Sequence, residues 1–481
     1  MSRLWIIFLS ALLFSFAGVC QNSFNRVYTH NTLRSSTNGI VEDGFGNFIF
    51  VTDVFDWPSY VEVVKVNSFG DTLWTTQLRD TGYSTQSAAY GDGGIVLTSD
   101  SIIVIVGTRF GFNPVADQGY CCMLNTSGSI LNFISFGGVN EYYFTSLIAL
   151  HDGNLLITGD RSDTSTGDWD ACVIKLNSNG TILWEQVYPK STLDDNAWSA
   201  TELNDYGILI GGHCYDSSMY YCYLIKTDSA GIKEWDKVWN DGLSSGITGV
   251  LQSANGNYIL SGEGRTSGGT YSQGYVARFD NLGNVIWEKK YGASHLFFDN
   301  KPIEMSDGCI LCSGSGYKDP TDGPYGAIMA VSDTGDSLWT RFDRFPGTVS
   351  PQNSQFYDFI KIKDGFIGVG YAHSPSQNSW VIKLDSTDIP SCNNILGVMD
   401  AGSSGESIQV FPNPFSEQLT FVNGSNKLSE VTIFDISGRK ILRRLFTNTI
   451  TIPTPYFEKG IYLYQIVNLK GECSFGKLVK D

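Results

Sequence analysis

Carboxylates and aromatic rings share the long loops of this chain. Asp56, Asp117, Asp163, Asp168, Asp170, Asp319 and Asp322 are interleaved there with Trp57, Phe112, Trp169, Tyr271, Tyr317 and Tyr325. Rings stack on the apolar faces of sugar units while carboxylates accept their hydroxyls, so the mixture suits a glycan-binding surface. Clustered carboxylate oxygens also hold Ca²⁺. Asp168-Trp169-Asp170 is the best single contributor, although it lacks the spacing of a calcium loop. Ca²⁺ is the one cofactor for which there is any case. A glycosidase would need two carboxylates a fixed distance apart, and no pair is singled out, so no catalytic residue is assigned. The same residues also fit solvated Asp-Gly turns with incidental rings.

Histidine chemistry is scarce. His30, His213, His295 and His373 fall in separate repeats without HxH or HxxxH spacing, so a shared metal would require them to converge. No phosphate-binding loop, dinucleotide fingerprint or GxSxG nucleophile elbow is convincing. The cysteines lack zinc spacing, and Cys214 and Cys222, which flank one hairpin loop, are the best disulfide pair. Cys309 and Cys312 lie three apart in a strand-like run and are expected to be small core residues.

The elements that position these loops repeat at a fixed interval. Each unit carries an apolar-Lys-apolar-Asn/Asp stretch, a turn ending in Gly, and a Trp four residues later, as in Lys175 to Trp184 around Gly180. The turn glycines fall at positions 70, 128, 180, 231, 283 and 335, and a seventh copy at Lys383 has lost its Gly. A period near fifty with four strand signals per unit predicts a seven-bladed β-propeller. In one unit the strands are expected at 196–203, 207–212, 221–228 and 232–239, named A to D from the channel outward. B strands recur at 47–51, 102–107, 154–159, 257–262, 309–314 and 366–370. The last unit stops after its C strand while the chain opens with an orphan D-type strand at 24–28. Closure by that N-terminal strand is expected, because it removes open edges. The organisation resembles WD-repeat propellers in this closure. The Trp spacing is similar to that of quinone-dependent dehydrogenase propellers, without a quinone site beside it. Trp74, Trp184, Trp235, Trp287 and Trp339 are expected to fill space between blades. Alternating strand direction puts the B-to-C and D-to-A loops on one rim, where the long loops and the candidate residues gather.

Bulk properties set limits. Arg3 followed by an apolar run to Val19 has the pattern of a secretory signal peptide, expected at 1–21. No other run approaches a membrane span, so no integral membrane segment is expected in the mature protein. The net charge is −17, yet from Ser407 onward nine Lys and Arg outweigh six Asp and Glu. The acidic body repels phosphate backbones, so nucleic acid is not expected as a partner.

The propeller is expected over 22–388, and 389–407 has linker composition. A small β-sandwich is expected at 408–481, with strands at 417–422, 430–435 and 440–446. Its blocks are Val410-Phe411-Pro412-Asn413-Pro414-Phe415, Ile433-Phe434-Asp435 with Gly438-Arg439, Gly460-Ile461-Tyr462, and a terminal stretch from Lys477. In content and order they resemble the type A C-terminal sorting domain of Bacteroidota type IX secretion substrates, with Phe434 where Tyr is usual. The resemblance implies Pro412, Asn413, Pro414, Gly438, Gly460 and Lys477 as the sorting motif. It also implies the type IX machinery as partner and a secreted or cell-surface protein. The cargo is expected to be a non-catalytic binding propeller for an extracellular glycan or protein. The alternatives are a carbohydrate-active hydrolase or lyase using rim carboxylates, and a structural envelope module.

Overall fold

The computed structural model describes residues 23–89, 93–112, 115–162, 167–190, 194–215, 219–240, 245–265, 272–292, 295–318, 323–346, 353–374, 376–386, 388–390, 397–400, 408–423, 428–435, 440–468 and 473–480. The expected signal peptide lies outside them. Every regular element is a β-strand, and among the described residues no helix is long and apolar enough to cross a membrane.

Among the described residues nine sheets form, two of them in the C-terminal segment and seven before it. In the fourth of these seven, Asp195–Glu202, Ile208–Tyr215, Tyr220–Thr227 and Lys233–Trp239 lie side by side as strands A to D. The first sheet repeats this with Arg34–Glu42, Phe48–Phe55, Tyr60–Val66 and Thr72–Leu78. Its A strand packs against Ile95–Leu97 of the second sheet on one side and Ser354–Ile362 of the last on the other. Phe24–Tyr28 pairs antiparallel with Gln377–Asp385, from Phe24 opposite Lys383 to Tyr28 opposite Ser379. The fold is a β-propeller.

Burial explains the composition of the strands. B and C strands are covered on both faces by neighbouring sheets, so Tyr60–Val66 is buried throughout and its sequence is a nearly continuous apolar run. D strands are outermost and alternate, as in Thr72–Leu78. B strands also run past the expected ends: Leu155–Ser162 and Tyr258–Arg265 continue three residues beyond Gly159 and Gly262. A β-bulge interrupts the A strands at matching places, between Thr37 and Gly39, Phe144 and Ser146, Ala197 and Ser199, Ile247 and Gly249, and Phe356 and Asp358. Each bulge turns one extra side chain out of the regular alternation.

The repeated residues hold one sheet to itself and to the next. An Asn or Asp before the C-to-D turn, replaced by Ser332 in the sixth sheet, accepts backbone N–H groups two and four residues on, as Asn177 does from Asn179 and Thr181. The motif lysines reach the A-to-B turn of their own sheet, Lys65 to Asp43 at 2.9 Å and Lys175 to Asp152 at 2.7 Å. A Cβ on Gly128, Gly231, Gly283 or Gly335 would come within about 3 Å of Trp74, Trp184, Trp235 or Trp287 of the preceding sheet. These glycines have φ between 75° and 85°, so they serve both the turn and the close approach of the ring. That accounts for Gly and Trp recurring together.

Four features depart from expectation. Cys214 stands opposite Tyr221 and Cys222 opposite His213, so the two thiols face opposite sides of the sheet and are not joined. Cys312 is a buried thiol, whereas Cys309 is disulfide-bonded. In the second and sixth sheets the A strand is broken, into Tyr83–Ser87 with Ile95–Leu97 and Leu296–Phe298 with Ile303–Glu304. Within the stretch of linker composition, Gly397–Asp400 pairs in parallel with Ser337–Asp343, the D strand of the sixth sheet.

The C-terminal segment has two sheets, one of Ile408–Phe411, Gln418–Asn423 and Thr449–Pro453, and one of Lys440–Thr447, Leu428–Asp435, Gly460–Asn468 and Cys473–Lys480. Leu419, Phe421 and Ile452 of the first share a core with Val431, Ile433, Tyr462 and Leu478 of the second, consistent with a small sandwich.

Candidate functional site

Two of the rim rings meet. Trp57, in the B-to-C loop of the first sheet, is 81% exposed, and Phe112 from the equivalent loop of the second lies 5.3 Å from it at a tilt of 41°. Both loops are fixed by local hydrogen bonds. The Asp56 carboxylate accepts the Trp57 N–H at 2.8 Å, and Asp117 accepts the Gly111 N–H at 2.8 Å just before Phe112. Arg79 stands 3.8 Å from Asp56 with its guanidinium 3.4 Å from the centre of the Tyr60 ring. Asp56 also borders a cleft of about 690 Å³ that His30, Tyr60, Glu62, Gln77 and Arg79 help to line. An exposed indole next to a second ring, in a loop whose Asp56 borders a polar cleft, suits a polyhydroxylated ligand.

The other rim candidates do not join this group. Trp169 opens the C strand of the third sheet, half-buried, and its N–H donates to Asp194 at 3.1 Å. Tyr317 faces His295, ring centres 4.6 Å apart. Tyr325 is a correction: it begins the C strand of the sixth sheet rather than ending a loop, is only 5% exposed, and takes a hydrogen bond from Arg344 at 2.9 Å. Tyr271, Asp163, Asp319 and Asp322 lie outside the described residues. Asp168 and Asp170 flank Trp169, and among the described residues no three His, Cys, Asp or Glu side chains gather to hold a metal ion. The histidines have separate surroundings. His213 packs between Trp198 at 4.3 Å and Tyr220 at 4.8 Å, where burial pulls it down to about 4.

Sequence reasoning missed a set of buried acids, two of which, Asp53 and Asp160, stand at equivalent places in B strands. Asp53 accepts the Ser87 N–H and hydroxyl, both at 2.8 Å, and the Asn38 amide at 2.9 Å. Asp160, following Gly159, accepts the Ala197 N–H of the next sheet at 3.2 Å. Burial pushes Asp53 up to about 7 and Asp160 up to about 8, against the pull of these hydrogen bonds. In Asp299 burial, aided by the Glu263 charge, overcomes a hydrogen bond with Gln355 and gives about 7. Asp53 and Asp160 tie neighbouring sheets together at the A strands. Their signal was the shared register, one or two residues past the expected end of strand B.

In the C-terminal sandwich the motif residues converge. The Asn413 side-chain amide donates to the Lys477 carbonyl at 2.9 Å, and its oxygen accepts the Val479 N–H at 2.8 Å. Phe415 is buried and its N–H donates to the Val479 carbonyl at 2.8 Å. The block around Asn413 therefore holds the last strand in place. Gly460 has a φ of 150° at the start of its strand, and Gly438 lies outside the described residues.

Residues 409–481 match the family described as secretion system C-terminal sorting domain. No curated protein matches the chain. Among solved structures it is similar to PorZ, a surface component of the type IX secretion system of Porphyromonas gingivalis, with 10% identity over 92% of this chain and 75% of that one and a TM-score of 0.33. It is also similar to the polysaccharide lyase Uly1, with 11% identity, 73% and 90% coverage and a TM-score of 0.46. A third is the β-propeller domain of the trilobed protease of Pyrococcus furiosus, with 8% identity, 72% and 97% coverage and a TM-score of 0.39. The C-terminal segment is thus a type IX secretion sorting domain, and the protein that carries it is secreted or displayed at the cell surface.

Proposed function

We propose that this is a non-catalytic binding protein in which a seven-bladed propeller over 22–388, exported behind a signal peptide at 1–21, engages an extracellular glycan through its long-loop rim. The linker at 389–407 joins it to the sorting domain at 408–481. The pairing of Phe24–Tyr28 with Gln377–Asp385 supports closure of the ring. One observation carries the function: the exposed Trp57 ring with Phe112 beside it, next in sequence to Asp56, which lines a polar cleft.

The acids nearest this platform favour binding over hydrolysis. Burial raises the Glu62 carboxyl, but hydrogen bonds from His30 and Gln77 and the charges of His30 and Arg79 outweigh it and hold the group below the usual range. Glu62 is then an acceptor for hydroxyls, where a glycosidase needs a carboxylic acid that donates a proton. Asp53 and Asp160 are spent on neighbouring strands. Screening the leaderless protein on a glycan array, with Trp57→Ala alongside, tests the reading. Loss of the wild-type glycan signal in the variant is expected, and a wild-type protein silent on every glycan would overturn it.

A further inference from the structure

One register position sets the first sheet apart. The C-strand residue three before the motif Lys faces the preceding sheet. In the other sheets the equivalents are Tyr120, Cys172, Tyr223, Tyr275, Ala327 and Trp380, all buried in apolar cores between sheets. In the first sheet it is Glu62, whose side chain is 8% exposed. This seam too has an apolar core, with Val64, Val66, Phe48 and Phe50 packed against Val369 and Val381, but beside Glu62 its outer part opens into the cleft of about 690 Å³ between Tyr60–Val66, Thr72–Leu78 and the residues from Val27 to Leu33.

The cleft is built rather than merely empty. Glu62 accepts from Gln77 at 2.6 Å and pairs with His30 at 2.6 Å. His30 is held from its other ring nitrogen by the Ser35 hydroxyl at 3.1 Å. Thr29, Thr72 and Thr75 add hydroxyls, and Arg79, stacked over Tyr60, flanks the end beside Asp56. Acid, base, amide and hydroxyl groups around one ring make a surface for a neutral ligand with many hydroxyls. The volume is within the range of small-ligand pockets, about 300 to 1,000 Å³.

We infer that the seam beside Glu62 is a subsite for one neutral sugar unit, with the rest of the glycan lying across Trp57 and Phe112. This rests on the rim reading and deepens it. Because the cleft reaches the rim at Asp56, one chain end can enter it while the next unit stacks on the indole.

The test uses the leaderless full chain, calorimetric titration with glucose, galactose, mannose, N-acetylglucosamine and sialic acid, and a glycan array. Glu62→Tyr places in the cleft the residue used by the fourth and fifth sheets. Neutral sugars are expected to bind the wild type at millimolar concentration. Glu62→Tyr should weaken them at least tenfold with no loss of melting temperature, while Trp57→Ala should weaken oligosaccharides more than single sugars. Should Glu62→Tyr fail to fold, Gln77→Leu, which takes a donor from Glu62, provides the same readout. Array binding that depends on Trp57 but survives the cleft variant removes the subsite and leaves the rim reading standing. Binding confined to sialic acid overturns the neutral ligand, and no binding to any glycan overturns both.

Discussion

Trp380 and Glu62 occupy the same place in two adjoining sheets, and they solve the same problem in opposite ways. Trp380 stacks on Phe356 at 4.8 Å, nearly parallel, and donates its indole N–H to Asn25 at 2.7 Å. Glu62 meets an imidazole and an amide and leaves open volume beside them. Filling a seam with a ring maximises apolar burial and dispersion, whereas a buried ion pair is weak evidence of stability because desolvation offsets its attraction. At this one register position the first sheet thus sets a charged group where its sisters set a ring or a small apolar group.

The contrast is sharpest under mutation of the filled seam. Trp380→Ala should lower stability by about 3–5 kcal/mol, because it opens a cavity that neighbours close only in part; a denaturant melt costing under 1 kcal/mol would mean that the seams are not packed as described. His30→Ala comes next. It leaves Glu62 with Gln77 as its remaining partner and should cost about 1–3 kcal/mol, with the melt recovering in His30→Ala/Glu62→Gln.

The titration of the two kinds of acid separates them further. Glu62 is held below its ordinary range, so its contribution is present above the unfolded carboxyl pKa of roughly 4 and is lost as acid protonates the folded state. Asp160, raised to about 8, has the opposite sign: its contribution is complete below about pH 4 and is lost as pH rises through 8. Asp160→Asn should therefore unfold at higher denaturant than wild type at pH 8, the gap closing toward pH 5. A gap that widens toward acid would contradict the assignment. Trp57→Ala should have the smallest effect on stability, within about 0.5 kcal/mol as for other exposed positions, while removing the glycan signal.

Repetition made the scaffold legible. Glycine and tryptophan recur together because each ring lies on the next turn, so the interval, the strand order and the orphan strand at 24–28 could be read from the chain. The rim was readable where loops are truly loops, as for Trp57 and Phe112. It failed at Tyr325, since loop length alone does not show where a strand begins. Cys214 and Cys222 misled for a related reason. A shift of one residue in pairing reverses the face, and hairpin proximity does not reveal it. Glu62 passed unremarked because a single acid within an apolar strand looks ordinary until it is set against its equivalents by register. The buried Asp53 and Asp160 were hidden likewise, being polar residues in apolar runs whose partners lie in the next sheet.

The hydrogen bond from Trp380 to Asn25 spans 355 residues of sequence. A polypeptide threaded through a membrane from its N-terminus delivers Asn25 long before Trp380, so the opening strand has no mate for most of the journey. Until then Phe24–Tyr28 keeps its edge bare, slow to be covered because its partner Gln377–Asp385 is so distant in sequence and prone to stick to other edges.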